Sequence, residues 1–374
     1  MNPILKNYCL LVLFMLLLFR VTFAQDNKIQ LSGEWQVKLD PNNEQQMDKA
    51  DKAFKLEGTI VLPGSLAENG YGIRTIGSDF GILTPEYKYI GKARYMREIY
   101  IPPSWRNKEI EIFLERVLWE SRIFIDGKEL SRQDALGTPH VHRLGKLSSG
   151  THELAVLVDN EMIHNIGDKG HAYSDYTQSI WNGIVGRMEM RALDAARIES
   201  VRAFPDIEND HLKVEVNTNI LLGSNTTLGY LVKSVKTGKM VMDGKINPVN
   251  GKDNNPFVFT IPVNGRLEKW SEFTPEVYLL EISLTSYQSA DSHETEFGYY
   301  QVSHDGTKVL INGKPVFLRG NLDCVHFPLT GYPSCDVEDW ERIFKTYKDY
   351  GLNHARFHSW CPPEAETREI KPII

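Results

Sequence analysis

The sequence predicts a mainly β fold made of two successive β-sandwiches, followed by the opening of an α/β domain. Three observations lead to this prediction. Short segments that alternate apolar and polar residues recur from about residue 25 to 193. A second such series runs from 194 to 302, and one helix-spaced apolar face lies between two extended segments after 303. Alternation with period two is typical of half-buried strands, whereas apolar residues three and four apart are typical of a helix.

The composition is that of an ordinary globular protein. The chain has 374 residues, of which 41% are hydrophobic and 24% are charged, and its formal net charge is -7. These values exclude a disordered or polytopic membrane protein, and the length predicts two or three domains. Because the acidic balance supplies no basic footprint, we expect no nucleic-acid partner.

Residues 1–24 have the features of a secretory signal peptide. Lys6 supplies a positive charge, the apolar run Tyr8–Phe19 follows, and Thr22 and Ala24 place small residues before a cleavage site. The apolar run is too short to cross about 30 Å of hydrocarbon. We therefore expect cleavage after Ala24, a periplasmic or secreted location, and no membrane contact after cleavage.

The first alternating series, over 25–193, predicts a jelly roll. Asp126-Gly127 between two extended segments is a strong hairpin signal, and about 170 residues suit a jelly roll better than an immunoglobulin-like domain of about 100. The second series, over 194–302, predicts an immunoglobulin-like sandwich. The alternating segments are 34–39, 97–101, 109–114, 212–216, 227–234, 257–261 and 278–284.

The last part of the chain predicts a strand, a helix and a second strand. Ser334 or Asp336 can cap the helix, with Asp339 in the position of a capping box, and Gly351 ends it. His354–Phe357 is predicted as the strand that follows. This order predicts a parallel pair with a crossover connection. The apolar face of the helix consists of Val337, Trp340, Ile343, Phe344 and Tyr347.

The cysteines match neither a disulfide framework nor a metal site. Apart from Cys9 in the signal peptide, the chain has Cys324, Cys335 and Cys361, an odd number confined to its last part. At most one bridge can therefore form. Histidines lie among these cysteines, but the CxxC and HxxxH spacings that structural zinc prefers are missing. We expect no metal and no cofactor.

Nine short segments along the chain carry the motifs of one family. They are Leu62–Leu66, Tyr95–Pro102, Trp181–Arg187, Lys269–Glu272, Pro275–Tyr278, Phe297–Tyr300, Ile311–Asn321, Phe327–Gly331 and Gly351–Arg356. In their order and spacing these segments resemble glycoside hydrolase family 2, the family of β-galactosidases, β-glucuronidases and β-mannosidases. The resemblance extends from about residue 30 to 365.

The resemblance implies a jelly-roll sugar-binding domain over 25–193, an immunoglobulin-like sandwich over 194–302 and a truncated start of a (β/α)8 TIM-barrel catalytic domain over 303–374. It also implies retaining hydrolysis of β-linked glycosides in oligosaccharides or polysaccharides, which needs two carboxyl groups about 5–5.5 Å apart. In the family these groups end barrel strands four and seven, and no Asn-Glu pair follows the second strand here. We therefore predict no catalytic residue in this chain and no activity of the chain alone.

The same resemblance implies seven candidate substrate-binding residues. Arg356 occupies the position of an arginine that organises the nucleophile, and His358 resembles a sugar-contacting histidine, with a spacing that differs by one residue. Cys324 stands where a cytoplasmic β-galactosidase has a histidine, which weakens galactose as the substrate. The histidines could instead pack or cap loops, and Trp360 could belong to the core. The candidates are Asn321, Asp323 and His326 after the first strand, Arg356, His358 and Trp360 after the second, and Asp159, at what could also be a strand-end turn.

Alternatives stay open at the end of the chain. After Ala365 the sequence departs from the family, and Pro372 would break a helix there. We expect a truncated or frameshifted product, with a natural short protein, a cut fragment or a gene-model error as alternatives. We also expect the residues after about 303 to pack poorly, because two strands cannot close a barrel.

The second functional class is a secreted, non-catalytic carbohydrate-binding protein. In this case exposed tryptophans of the first sandwich would hold the sugar rings. The sequence leaves the oligomeric state open. The tryptophans concerned are Trp35, Trp105, Trp119 and Trp181.

Overall fold

The computed structural model describes residues 27–42, 58–79, 82–174, 176–223, 225–248, 255–287 and 290–364. The expected signal peptide with its cleavage site, and the expected departure from the family after Ala365, lie outside these residues and stay predictions. Within the described ranges, no helix has the length and apolar character to cross a membrane.

Strands make up most of the regular structure, which confirms the mainly β fold class. In chain order the strands are β1 (Lys28–Gln30), β2 (Gly33–Asp40), β3 (Gly58–Leu62), β4 (Gly64–Ser65), β5 (Ile73–Arg74), β6 (Tyr87–Lys88), β7 (Lys92–Ile101), β8 (Glu109–Arg116), β9 (Glu120–Ile125), β10 (Lys128–Gln133), β11 (His140–Gly145), β12 (Gly150–Asp159), β13 (Gly183–Leu193), β14 (Ile198–Asp206), β15 (His211–Thr218), β16 (Thr227–Ser234), β17 (Met240–Ile246), β18 (Phe257–Pro262), β19 (Val277–Thr285), β20 (Ala290–Gly298), β21 (Val302–Asp305), β22 (Lys308–Ile311), β23 (Lys314–Pro315), β24 (Gly320–Asp323) and β25 (His354–Phe357). A 3-10 turn spans Pro103–Trp105, and helix α1 (Val337–Asp349) lies between β24 and β25.

Two antiparallel sheets form the first sandwich. One sheet has the strand order β10-β9-β12-β7-β2-β3, and the other has the order β1-β13-β8-β11 with β4 paired to β13. Alternation along each strand decides which side chains enter the core. In β8, for example, Ile110, Ile112 and Leu114 lie fully buried between the sheets.

The four tryptophans of the first sandwich are buried. Trp35, Trp105, Trp119 and Trp181 are at most 4% exposed. The expectation that they hold sugar rings on an open surface is therefore wrong. Trp35 and Trp105 fill the core between the sheets, whereas Trp119 and Trp181 pack against the part of the chain after residue 303, because large flat side chains gain much from burial.

A second sandwich follows, with its own core. Its sheets have the strand orders β14-β15-β18 and β17-β16-β19-β20. Val214, Leu228 and Leu280 are fully buried between them. The exact domain boundaries stay predictions.

The chain then forms a small sheet, β21-β22-β23, and a two-stranded sheet of β24 and β25. Asn312 and Gly313, with φ of 51° and 75°, make the tight turn between β22 and β23. β24 and β25 are parallel, with Asn321 opposite Ala355, and α1 connects them in the predicted order. Two strands do not test a closed barrel, so the barrel start stays a prediction.

Helix α1 ends as the sequence predicts. Gly351 has a φ of 73°, and its N–H donates to the carbonyl of Lys348 at 2.8 Å. The N–H of Leu352 donates to the carbonyl of Tyr347 at 2.9 Å. These two bonds form a Schellman motif, which needs the left-handed conformation that glycine adopts without strain.

The start of α1 differs from the prediction. Asp336 is the N-cap residue, but its side chain makes no capping hydrogen bond. Ser334 Oγ instead donates to Oδ2 of Asp339 at 2.7 Å. The same hydroxyl accepts the N–H of Asp336, the N-cap residue itself, at 3.2 Å. The expected capping box is therefore absent, because neither side chain accepts an N–H of the first helical turn.

Helix α1 packs against the first sandwich. Trp340 and Phe344 are at most 1% exposed, and they share one apolar cluster with Trp119, Tyr173 and Trp181. The expectation of poor packing after residue 303 is wrong for this face of the segment. The face of β24 that carries Leu322 remains open, and its side chain is 47% exposed.

Candidate functional site

The carboxyl ends of β24 and β25 lie side by side because the two strands are parallel. Ligands of α/β domains bind outside these ends. His326 follows β24 and His358 follows β25. Both side chains are exposed, so this edge is the candidate functional site.

A loop of the first sandwich reaches this edge. Residues 160–182 connect β12 to β13, and they place the ring of His171 4.1 Å from the ring of His358, centroid to centroid. Burial lowers the pKa of His171, and the nearby His358 and His326 lower it further. Three imidazoles from three segments of the chain therefore meet here.

Ser359 joins the loop to β25. Its hydroxyl donates to the carbonyl of Lys169 at 2.9 Å and accepts the backbone N–H of His171 at 3.2 Å. Nδ1 of His171 and Nδ1 of His358 lie 2.7 Å and 3.1 Å from the same oxygen. One hydroxyl thus holds the loop in place against the end of the strand.

Three non-glycine residues with a positive φ lie around the same edge. Ala172 and Gln178 of the loop have φ of 59° and 52°, and Val325 after β24 has φ of 61°. A positive φ is uncommon outside glycine and is a true outlier for a β-branched residue, and such residues cluster at functional sites. Gln178 Nε2 lies 3.4 Å from Nε2 of His326, and its buried Oε1 has no partner among the described residues.

Asp323 organises the turn after β24. Its Oδ1 accepts the N–H of Val325 at 2.8 Å. Its carbonyl accepts the N–H of His358 at 3.0 Å and Nε1–H of Trp360 at 3.2 Å. Burial raises the pKa of the Asp323 carboxyl, while the Val325 N–H and His326 oppose this rise.

Arg356 and Asn321 lie on opposite faces of the two-stranded sheet. Ala355 and Phe357 of β25 belong to the apolar cluster around α1, so the alternation of the strand places the exposed Arg356 on the open face. Asn321 Nδ2 donates to the hydroxyl of Tyr347 on α1 at 2.6 Å. The structure therefore does not bring these two candidates together.

Two other candidates have packing or local roles. Trp360 is 8% exposed and lies against Trp340 and Phe357, with centroid distances of 6.5 Å and 5.3 Å. Asp159 ends β12, where it is 8% exposed and accepts the N–H of Glu161 at 3.1 Å. Burial raises the pKa of this aspartate.

The sequence misplaced the end of the first strand and missed part of the site. Asn321 and Asp323 lie within β24 rather than after it. β25 has the predicted bounds, and Arg356 lies within it rather than after it. His171 and Gln178 were not predicted, because neither belongs to a local motif. Only the fold brings His171 into contact with Ser359, 188 positions away.

A cleft of about 860 Å³ opens beside His326. One wall belongs to the first sandwich and includes Glu68 and Arg187, and the other is the connection from β24 into α1. Arg187 donates two hydrogen bonds to Glu364, at 2.8 Å and 2.9 Å, and so links the two walls. This volume is in the range of small-molecule sites.

Nothing in the described part of the chain forms a metal centre. No group of three or more histidine, cysteine, aspartate or glutamate side chains is arranged to hold a metal there. Cys324, Cys335 and Cys361 are free thiols. Burial, aided by Glu115, raises the pKa of Cys335 to about 12, so this thiol stays protonated and is a poor metal ligand.

The sequence is similar to two glycosidases. It is 22% identical over 311 residues to a β-galactosidase of Thermoanaerobacterium thermosulfurigenes, and the aligned region covers 81% of this chain and 41% of the relative. It is 22% identical over 316 residues to a β-glucuronidase of Paenibacillus borealis, which covers 78% of this chain and 48% of the relative. The chain spans less than half the length of either protein. No protein-family model matches it.

Solved structures share the fold. A β-glucuronidase from Ruminococcus gnavus in complex with N1-substituted uronic isofagomine has a TM-score of 0.69 and 16% identity, covering 92% of this chain and 58% of that chain. The apo structure of a β-glucuronidase from the same organism has a TM-score of 0.70 and 16% identity, with the same coverage. Together with the two relatives, these structures confirm the resemblance to glycoside hydrolase family 2.

Proposed function

We propose that this chain supplies the sugar-binding side of a β-glycosidase of the family-2 type. The observation that carries the proposal is the placement of Arg356 on the open face of β25, beside a strand edge that bears His326 and His358. This is where α/β barrels bind their substrates. The similar β-galactosidase and β-glucuronidase support a β-glycoside as the ligand.

The side chains at this edge suit the binding of a sugar. The guanidinium of Arg356 offers up to five donors in a fixed plane. Nδ1 of His171 and Nδ1 of His358 are held against the Ser359 hydroxyl, which leaves Nε2 of each ring for a sugar hydroxyl. Such preorganised polar groups select a ligand at a smaller entropic cost than mobile ones.

Hydrolysis needs groups that this edge does not carry. A retaining mechanism requires one carboxyl group as acid/base and another as nucleophile. Among the described residues of β24 and β25, the side chains on the open face are Leu322, His354 and Arg356, none of which is a carboxyl group. The purified chain by itself is therefore expected to bind the sugar without hydrolysing it. The proposed enzyme to which it belongs is secreted or periplasmic.

The proposal is tested by titrating the purified chain with phenyl β-galactoside and phenyl β-glucuronide. Imidazole NMR signals are assigned with the variants His171→Asn and His358→Asn. We expect at least one glycoside to shift both signals and neither to be hydrolysed above the buffer rate. Arg356→Ala should weaken binding about tenfold, whereas Arg106→Ala, at an exposed arginine of the first sandwich, should not.

Three results would contradict this proposal. If neither glycoside shifts the histidine signals, the edge does not bind these sugars. Equal binding by Arg356→Ala would remove the assigned role of the arginine. Turnover by the purified chain would show that it carries its own catalytic carboxyl groups.

A further inference from the structure

We propose that the cleft between the first sandwich and the β24–α1 connection binds a neutral oligosaccharide. The choice of a sugar over other polyhydroxylated ligands rests on the proposed function. The site itself is argued from three observations. It has a carboxylate with one free oxygen, it has two aromatic rings held by buried tryptophans, and its charges disfavour an anion. Clefts between domains are frequent ligand sites.

Glu68 is a fixed hydrogen-bond acceptor in the wall of the cleft. Its Oε2 accepts the N–H of Ser65 at 2.9 Å, the hydroxyl of Ser65 at 3.0 Å and the hydroxyl of Tyr332 at 2.8 Å. These three bonds fix the carboxylate, while Oε1 has no partner among the described residues. A sugar hydroxyl can therefore donate to Oε1 without any reorganisation of the protein.

Two aromatic side chains, Tyr332 and Phe327, line the opposite wall. Tyr332 lies 5.6 Å from Trp181, and Phe327 lies 5.6 Å from Trp340, centroid to centroid. Both tryptophans are buried, and they contact the two rings at interplanar angles of 53° and 65°, which restricts the movement of the rings. Rigid aromatic faces suit the apolar C–H face of a pyranose ring, whose hydroxyl groups point outward to polar partners.

The charges of the cleft favour a neutral ligand over an anion. Both guanidinium groups among its described lining residues are already paired. Arg187 binds Glu364, and Arg342 binds Asp339 with its NH2 group at 3.1 Å. An anionic sugar bound beside Glu68 would be repelled by the negative charge of the glutamate, because no unpaired guanidinium of the described lining offsets that charge.

The size of the cleft points to several sugar units. Its volume of about 860 Å³ exceeds what one pyranose ring fills, and it lies near the upper end of the roughly 300–1,000 Å³ range of ligand sites. His326 lines the cleft and also belongs to the candidate functional site. A chain of sugars in the cleft would thus continue from that site along the first sandwich.

The inference is tested by calorimetry on the purified full chain. The ligands are four neutral β-1,4-linked trisaccharides (cellotriose, mannotriose, xylotriose and galactotriose) and cellotriouronic acid as the charged counterpart of cellotriose. We expect at least one neutral trisaccharide to bind and the uronic acid to bind at least about tenfold more weakly than cellotriose or not at all.

Variants locate the site. Glu68→Gln should weaken binding about tenfold, because the amide must use its oxygen for Ser65 and then presents N–H groups to the sugar. Tyr332→Phe keeps the ring but removes one of the three bonds that fix Glu68, so a loss of about threefold is expected. Glu338→Gln is the matched control, because Glu338 is an exposed glutamate of α1 that does not line the cleft. Circular dichroism melts confirm that each variant is folded.

The outcomes separate this inference from the proposed function. The inference is overturned if no neutral trisaccharide binds, if Glu68→Gln binds as tightly as the parent chain, or if the uronic acid binds as well as cellotriose. The proposed function is read independently, from the His171 and His358 signals with the aryl glycosides. If Glu68→Gln leaves trisaccharide binding unchanged, the trisaccharide does not bind in the cleft, and the proposed function is not affected.

Discussion

Two pairs of histidines in this molecule share one arrangement and differ in their surroundings. The buried pair, His140 and His142, lies inside the first sandwich. The exposed pair, His171 and His358, lies at the edge of β24 and β25. In each pair a serine hydroxyl approaches both imidazoles. The difference shows that the chemistry of a cluster does not reveal its role, whereas its access to solvent does.

The buried pair is a closed hydrogen-bond chain across the sandwich. His140 Nε2 donates to the carbonyl of Ala135 at 2.7 Å, so its Nδ1 accepts the Ser121 hydroxyl at 2.6 Å. The same hydroxyl accepts Nε2–H of His142 at 2.8 Å, and Nδ1 of His142 accepts the Ser131 hydroxyl at 3.0 Å. Every ring nitrogen has a hydrogen-bond partner. These hydrogen bonds connect β11 of one sheet to β9 and β10 of the other.

The exposed pair is open to a ligand. His358 and Ser359 are exposed, and His171 is half-buried. The hydroxyl of Ser359 donates to a backbone carbonyl rather than to a ring. The buried pair therefore stabilises the fold, while the exposed pair positions a loop and offers imidazole groups at the candidate site.

The largest expected effect comes from Ser121→Ala. The substitution leaves Nδ1 of His140 and Nε2–H of His142 buried without a partner, which should lower the free energy of unfolding by about 2–4 kcal/mol. Urea denaturation followed by tryptophan fluorescence measures the change. Ser303→Ala, at an exposed serine of β21, serves as the control. A loss below about 0.5 kcal/mol would show that the hydrogen bonds of the buried histidine pair contribute little to stability.

The second effect is a loss of stability in mild acid. Burial lowers the pKa of His140, and burial together with His140 lowers the pKa of His142 to about 3 from 6.5. The unfolded state therefore takes up protons below pH 6.5 that the folded state does not bind. This contribution to stability is complete above about pH 6.5, and it falls by about 2 kcal/mol between pH 6.5 and pH 5 through His142 alone.

Urea midpoints at pH 7, 6 and 5 measure this loss. His171→Asn should keep the pH dependence of the parent chain, because the exposed pair contributes little to global stability. If His171→Asn instead removed most of the dependence, the comparison between the two pairs would be wrong.

The smallest expected effect on stability comes from Ser359→Ala. Removing this exposed hydroxyl should cost less than about 1 kcal/mol of global stability. It should, however, release the loop before β13, because Lys169 and His171 lose their bonds to it. Hydrogen exchange of the His171 backbone N–H is the measurement, and faster exchange at unchanged global stability is the expected result. Unchanged exchange would show that the aromatic contacts alone hold the loop.

Local patterns predicted much of the fold from the sequence. The alternation in β8 placed its isoleucines in the core, the Asn312-Gly313 pair made the predicted turn, and Gly351 ended α1. These features depend on neighbours in the chain, so periodicity and backbone preference are enough to find them. The Ser334 cap failed because the N-cap residue is Asp336, two positions later, and the Ser334 hydroxyl accepts the N–H of Asp336 instead of an N–H of the first helical turn.

The candidate site was only partly predictable. The family resemblance pointed to Arg356 and His358, which the structure places at the expected edge. It also pointed to Asn321 and Trp360, whose contacts with α1 and the aromatic cluster no motif could foresee. No sequence motif pointed to His171, because it reaches the site through a loop of the first sandwich.

The sequence by itself determined the order of strands, the two sandwiches and the strand–helix–strand unit, because each depends on the local alternation of apolar and polar residues. Only the tertiary structure decided which polar groups meet. It buried His140 and exposed His358, and it set Glu68 opposite Tyr332, 264 positions away. Burial and distance arise from packing between elements remote in the chain, and these two quantities decide whether a histidine or a carboxylate supports the fold or binds a ligand.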